Sequence, residues 1–179
     1  MMAKETDSEF RRFVALEKIE EAGVLERRIE ASAEECSALA RRFDLLSLAR
    51  LAAVVELRRV SGGPVVRVDG RLEADVVQRC VVSLEPVSDH VEGRFSELFA
   101  PTDYEMPEDA GEEDVPEAFD DGGIDIGELV AQHLSLSLNP YPRTPGVELP
   151  QTRPADPEDE SAESGRPLAG LGELLKKRQ

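Results

Sequence analysis

The chain has 179 residues, enough for one domain with tails; at about 150 residues a single core already buries roughly 68–70% of the unfolded surface. With no Trp, 6 Phe and 2 Tyr, that core has to be built from Val, Leu, Ala and Ile. The 38 acids against 21 bases give a net charge of −17, which opposes broad binding to nucleic acid or to an anionic membrane surface.

The charge is unevenly placed. Between Asp103 and Asp121 there are ten acids and no Lys or Arg, and between Asp156 and Glu163 five more acids and no base. Without these two runs, 23 acids face 21 bases, so a nearly neutral body carries two acidic insertions. Two cysteines, Cys36 and Cys80, are too few for a disulfide framework, and no Cys-x-x-Cys offers a thiolate zinc site. The N-terminal MMAKETDSEFRRF lacks an apolar signal region, and no apolar run reaches membrane-spanning length. These features set the expectation of a cytoplasmic protein with no membrane contact.

In chain order, residues 1–9 read as frayed and Phe10 to Ile19 stays open between strand and helix. ERRIEA at 26–31 reads as a short strand. Ser32 and Glu35 form a capping box that opens a helix to about Phe43, with Cys36, Leu39, Ala40 and Phe43 on its apolar side. Leu51, Ala53, Val55 and Leu57 alternate with polar neighbours as in a strand, and Ser61-Gly-Gly-Pro64 is a turn. From Val66 to Val76 the even positions are apolar or Gly and the odd positions charged, a period of two that a helix does not produce; Gly70 suggests a bend. Pro86 is expected to break the ladder after Cys80-Val-Val-Ser-Leu84, and His90 to Phe99 gives another strand facing inward with Val91, Phe95 and Phe99.

Residues 101–123 read as a mobile acidic loop. Asp125 and Glu128 resemble a capping box at the start of a helix that Asn139-Pro140 stops. Residues 150–167 read as an acidic, Pro-rich linker and 168–179 as a short C-terminal helix. The fold expected is α+β: an antiparallel sheet from 51–99, open or curled, packed with helices near 33–43 and 125–138, within a domain covering 1–149.

Catalytic signatures are missing. There is no P-loop, G-x-G-x-x-G or G-x-S-x-G, and the doublets Gly62-Gly63 and Gly122-Gly123 read as turns. Of the two histidines, His133 falls on an apolar helix face and reads as packed, whereas His90 reads as exposed. Cys80 reads as a buried small hydrophobe. The acid run lacks the D-x-[DN]-x-[DN]-G pattern of a calcium loop and reads as a solvated segment. Asn139-Pro-Tyr-Pro-Arg143 has to be extended, so it presents Tyr141 and Arg143, residue types frequent at binding hot spots, from a stiff backbone; packing of Tyr141 on the sheet is the competing reading.

CVVSLEPV at 80–87 and IDIGELVAQHLSLSLNPYPRTPG at 124–146, together with ALARRFDLLSL, VRVDGRLEADVVQRC and PLAGLGELLKK, resemble the YceD family in its alphaproteobacterial form. That resemblance implies a non-enzymatic factor for synthesis, processing or stability of large-subunit (23S) ribosomal RNA. It also implies that relatives carry Cys-x-x-Cys where this chain has Val77-Gln-Arg-Cys80, so neither a bound metal nor another cofactor is expected here. Arg79, Cys80, Glu85, Pro86, Tyr141, Pro142 and Arg143 are the binding candidates. The expected partner is a ribosomal protein or assembly factor, with direct ribosomal RNA contact held open through Arg79, Arg143 and the Lys176–Arg178 tail. No small-molecule substrate is expected. Two other classes are a regulator of phospholipid or fatty-acid synthesis and a hydrolase using Asp125 and Glu128.

Overall fold

Alternation at period two builds the centre of the molecule. The computed structural model describes residues 8–61, 63–105, 115–119 and 122–146. Its long strands are β3 (Ser47–Arg59), β4 (Val66–Arg79) and β5 (Pro86–Pro101), joined to the shorter strands β2 (Val24–Glu30) and β6 (Glu117–Phe119). They form one five-stranded sheet in the order β2-β3-β4-β5-β6. The pairings from β2 to β5 are antiparallel, whereas β6 lies parallel to β5. The sheet is open, since β2 and β6 do not pair with each other. A two-stranded ribbon pairs β1 (Phe13–Ala15) with β7 (Gly123–Asp125). The helices are α1 (Leu16–Ala22), α2 (Ala33–Arg42) and α3 (Ile126–Ser137), which completes the α+β class expected from the sequence.

Register turns the alternation into one buried face. Leu51 lies opposite Ala74, Ala53 opposite Leu72, and Leu57 opposite Val68, all buried. Val91, Phe95 and Phe99 extend that face on β5, as their spacing predicted. Leu39 of α2 and Ile126, Val130 and Leu134 of α3 close the same core. Gly70 is tied to Phe95, its cross-strand partner: a Cβ there would lie 2.1 Å from the Phe95 ring, so glycine leaves the space that the ring fills.

The structure corrects or completes the sequence reading of several elements. Pro86 does not end the ladder; it opens β5 opposite Arg79, a first-residue position where the missing N–H costs nothing. Phe10 to Ile19 resolves into both choices, a three-residue strand followed by a helix. Within 101–123, Glu117–Phe119 adds a strand to the sheet because Phe119 enters the core, and Gly123 begins β7. The expected linker at 150–167 and helix at 168–179 lie outside the described residues.

Candidate functional site

Two stretches flank α3, and each was singled out by sequence. At the N-terminus of α3, Asp125 is the cap: its Oδ1 accepts from the N–H of Gly127 at 3.1 Å and of Glu128 at 3.3 Å. It also accepts from the Arg12 N–H at 2.8 Å, while the Arg12 carbonyl accepts from the Ile126 N–H at 3.1 Å. Gly127 lets this segment close in, since a Cβ there would stand 1.8 Å from the Phe10 carbonyl oxygen. Glu128 does not complete a capping box. Its carboxylate accepts from Arg42 Nη2 at 2.6 Å and from Ser8 Oγ at 2.8 Å, because the guanidinium of α2 outcompetes the neutral Asp125 N–H. The Arg42 hydrogen bond holds the Glu128 carboxyl below its usual range.

The predicted Ser32–Glu35 box is present on α2, with Glu35 N–H donating to Ser32 Oγ at 3.3 Å and Ser32 N–H to Glu35 Oε2 at 2.7 Å. Arg12 grips the same carboxylate with two bonds of 2.7 and 2.9 Å and holds its pKa down to about 2. The acids Glu35, Asp125 and Glu128 are therefore engaged in fastening the N-terminal segment to α2 and α3.

At the other end of α3 the sheet and the chain exit meet. Cys80 to Leu84 form the turn between β4 and β5, not the strand continuation read from the sequence, and Leu84 takes a positive φ of 64°. The exit segment docks on this turn by backbone contacts. The Val81 N–H donates to the Pro142 carbonyl at 2.9 Å, and the Thr144 N–H to Cys80 Sγ at 3.4 Å. Gln78 Nε2 donates to the Asn139 carbonyl at 3.0 Å. Cys80 is fully buried, as expected, but it is more than a hydrophobe. The Ser83 hydroxyl, then the Ser83 and Thr144 N–H groups, hold its thiol down to about 6, while burial of the sulfur pushes the other way.

All seven binding candidates lie on the two segments that meet at this junction. Cys80 and Pro142 are buried and anchor it; Arg79, Glu85, Pro86, Tyr141 and Arg143 are exposed. Tyr141 is 70% exposed and does not pack on the sheet. Two further apolar side chains join it from the turn, Val81 and Leu84, the latter 64% exposed. Sequence reasoning missed both by treating Val81-Val-Ser-Leu84 as strand; the signal was a short stretch just ahead of Glu85-Pro86 in a connection that had to reverse the chain. Among the described residues, neither Arg79 nor Arg143 has an ion pair.

The histidines are placed away from this junction chemistry. His133 stacks on Phe95 at 4.3 Å between ring centroids and lies 3.2 Å from Glu97. His90 is exposed, and its hydrogen bond to Asp75 at 2.7 Å raises its pKa. Among the described residues no three His, Cys, Asp or Glu side chains gather as metal ligands, and no helix is long and apolar enough to cross a membrane.

A family model described as large ribosomal RNA subunit accumulation protein YceD matches residues 68–175, a span that contains both the turn and the exit segment. No curated protein matches the chain, and no solved structure does.

Proposed function

The chain belongs to the YceD family of large ribosomal RNA subunit accumulation proteins, and from that premise we propose that it acts without catalysis, by docking a protein partner at the junction of the β4–β5 turn and the Asn139–Thr144 exit. One observation carries this reading. The two segments hold each other through backbone groups and the buried Cys80, and this leaves Tyr141, Val81 and Leu84 exposed beside Arg79 and Arg143, which have no ion pair among the described residues. Exposed aromatic and aliphatic groups rimmed by arginines are what a protein interface uses as anchors. The partner is a ribosomal protein or assembly factor in the cytoplasm. A net charge of −17 supports a protein contact over a broad RNA contact, and it favours a basic partner steered by the acidic runs. The carboxylates that a hydrolase would need, Asp125 and Glu128, are bound to backbone N–H groups and to Arg42.

The test is complementation in cells lacking the protein. Tyr141→Ala with Arg143→Ala should lower mature large-subunit ribosomal RNA while leaving the amount of folded protein unchanged. Normal ribosomal RNA in that variant would refute the assignment of the junction. Loss of acyl-lipid synthesis with normal ribosomal RNA in the null cells would favour a regulator of lipid synthesis instead.

A further inference from the structure

The solvated face of the sheet is striped. Opposite the buried face, Glu26, Glu56 and Asp69 lie in one row across the strands. Arg28, Val54, Arg71 and Arg94 form the next row, and Glu30, Ala52, Glu73 and Glu92 the one after. Sign alternates along the strands, but within a row like charges stand directly opposite one another, as Arg71 does to Arg94. Such pairs are destabilising in a sheet, so folding alone gives no reason for them. On the same face Arg50 bridges Glu30 and Glu73, and Arg58 bridges Glu56 and Asp69. Arg28, Arg71 and Arg94 are exposed and have no ion pair among the described residues. They line an open trough of about 980 Å³.

We propose that this trough receives a partner α-helix that lays a line of Glu or Asp side chains along the Arg28–Arg71–Arg94 row. The dimensions fit. Three strand-to-strand steps make the row about 14 Å long, and the acidic rows lie about 6.7 Å to either side. A helix about 10–12 Å across reaches from its acidic line to both flanks, where Lys or Arg on its sides would meet the glutamates. Guanidinium groups suit such carboxylates because they bond in a fork. A nucleic-acid strand fits worse: acids within about one Debye length of roughly 8 Å on both sides of the row would repel every phosphate not seated on an arginine. This surface is separate from the junction above and stands or falls independently of it.

The test titrates the full chain with fluorescent Ala-based peptides of about 18 residues, long enough to be helical in water. One carries a Glu line at i, i+4, i+7 and i+11 with Lys flanks, and its inverse carries a Lys line with Glu flanks. The Glu-line peptide should bind at least tenfold tighter than its inverse, weaken with salt, and lose that preference with Arg71→Glu/Arg94→Glu while retaining it with Tyr141→Ala. Equal binding of the two peptides, binding of neither, unchanged affinity in the reversal variant, or tighter binding of a uridine oligonucleotide would each overturn the proposal. Because the two peptides are compared on the unaltered protein, a variant that failed to fold would leave the result readable.

Discussion

The two ends of α3 use their polar groups in opposite ways. At its start, side chains turn inward: Asp125 takes three backbone N–H groups, Glu128 takes Arg42 and Ser8, and Gly127 gives up its side chain so that Phe10 can approach. Past its end, the backbone turns inward and the side chains turn out: Pro142 and Thr144 fasten the segment, while Tyr141 and Arg143 face solvent. The lesson concerns what sequence motifs are for. Both stretches carry the distinctive residues of the family resemblance, yet geometry gives the first to folding and leaves the second available for recognition.

The sharpest way to break this contrast is at Gly127. Its missing side chain is opposed by backbone, which cannot rotate away, so Gly127→Val should cost about 3 kcal/mol or more in urea unfolding. A loss below about 1 kcal/mol would mean that the N-terminal segment is not clamped as described. Next comes Asp125→Ala, which removes the α3 cap and the acceptor for Arg12; a loss of about 1–2 kcal/mol is expected by the same measurement.

The pH dependence separates the two ends further. Glu35 is depressed from 4.5 to about 2 by Arg12, so its contribution is fully present above pH 4.5 and is lost as the pH falls toward 2. Glu35→Gln should flatten the stability curve in that acid window. Cys80 is depressed from 9.0 to about 6, so its contribution is fully present above pH 9 and is lost as the pH falls through 6. Stability should therefore rise between pH 6 and 9, and Cys80→Ala should remove that slope without altering the acid limb. An unchanged slope in the variant would show that the Ser83 and Thr144 contacts do not favour the thiolate.

The smallest stability effect belongs to the exit. Tyr141→Ala should change the unfolding free energy by no more than about 0.5 kcal/mol, since the side chain is 70% exposed. A larger loss would place Tyr141 among the packing residues and blur the contrast.

What the sequence made legible follows from locality. The charged–apolar alternation of β4 and the Ser32–Glu35 box are written in adjacent residues, and both appear as read. The three-residue strands β1, β6 and β7 carry no period long enough to read; they form because Val14, Phe119 and Ile124 find room in a core assembled by distant segments. Glu128 looked like a cap because its helical spacing is local, while Arg42, 86 residues away, is what it binds. The same holds at the junction. Cys80 and Thr144 are 64 residues apart, so the turn that exposes Val81 and Leu84 became visible only with the exit segment seated beside it.

The most direct test of the central claim is sucrose-gradient sedimentation of cell extracts containing either the unaltered chain or Tyr141→Ala/Arg143→Ala, at low and high salt, with and without RNase. The unaltered chain should travel with large-subunit precursors at low salt and leave them at high salt. After RNase it should still sediment with released protein. The double variant should stay at the top throughout. Equal migration of the two proteins, or complete release of the unaltered chain by RNase alone, would contradict a protein-mediated contact at the junction.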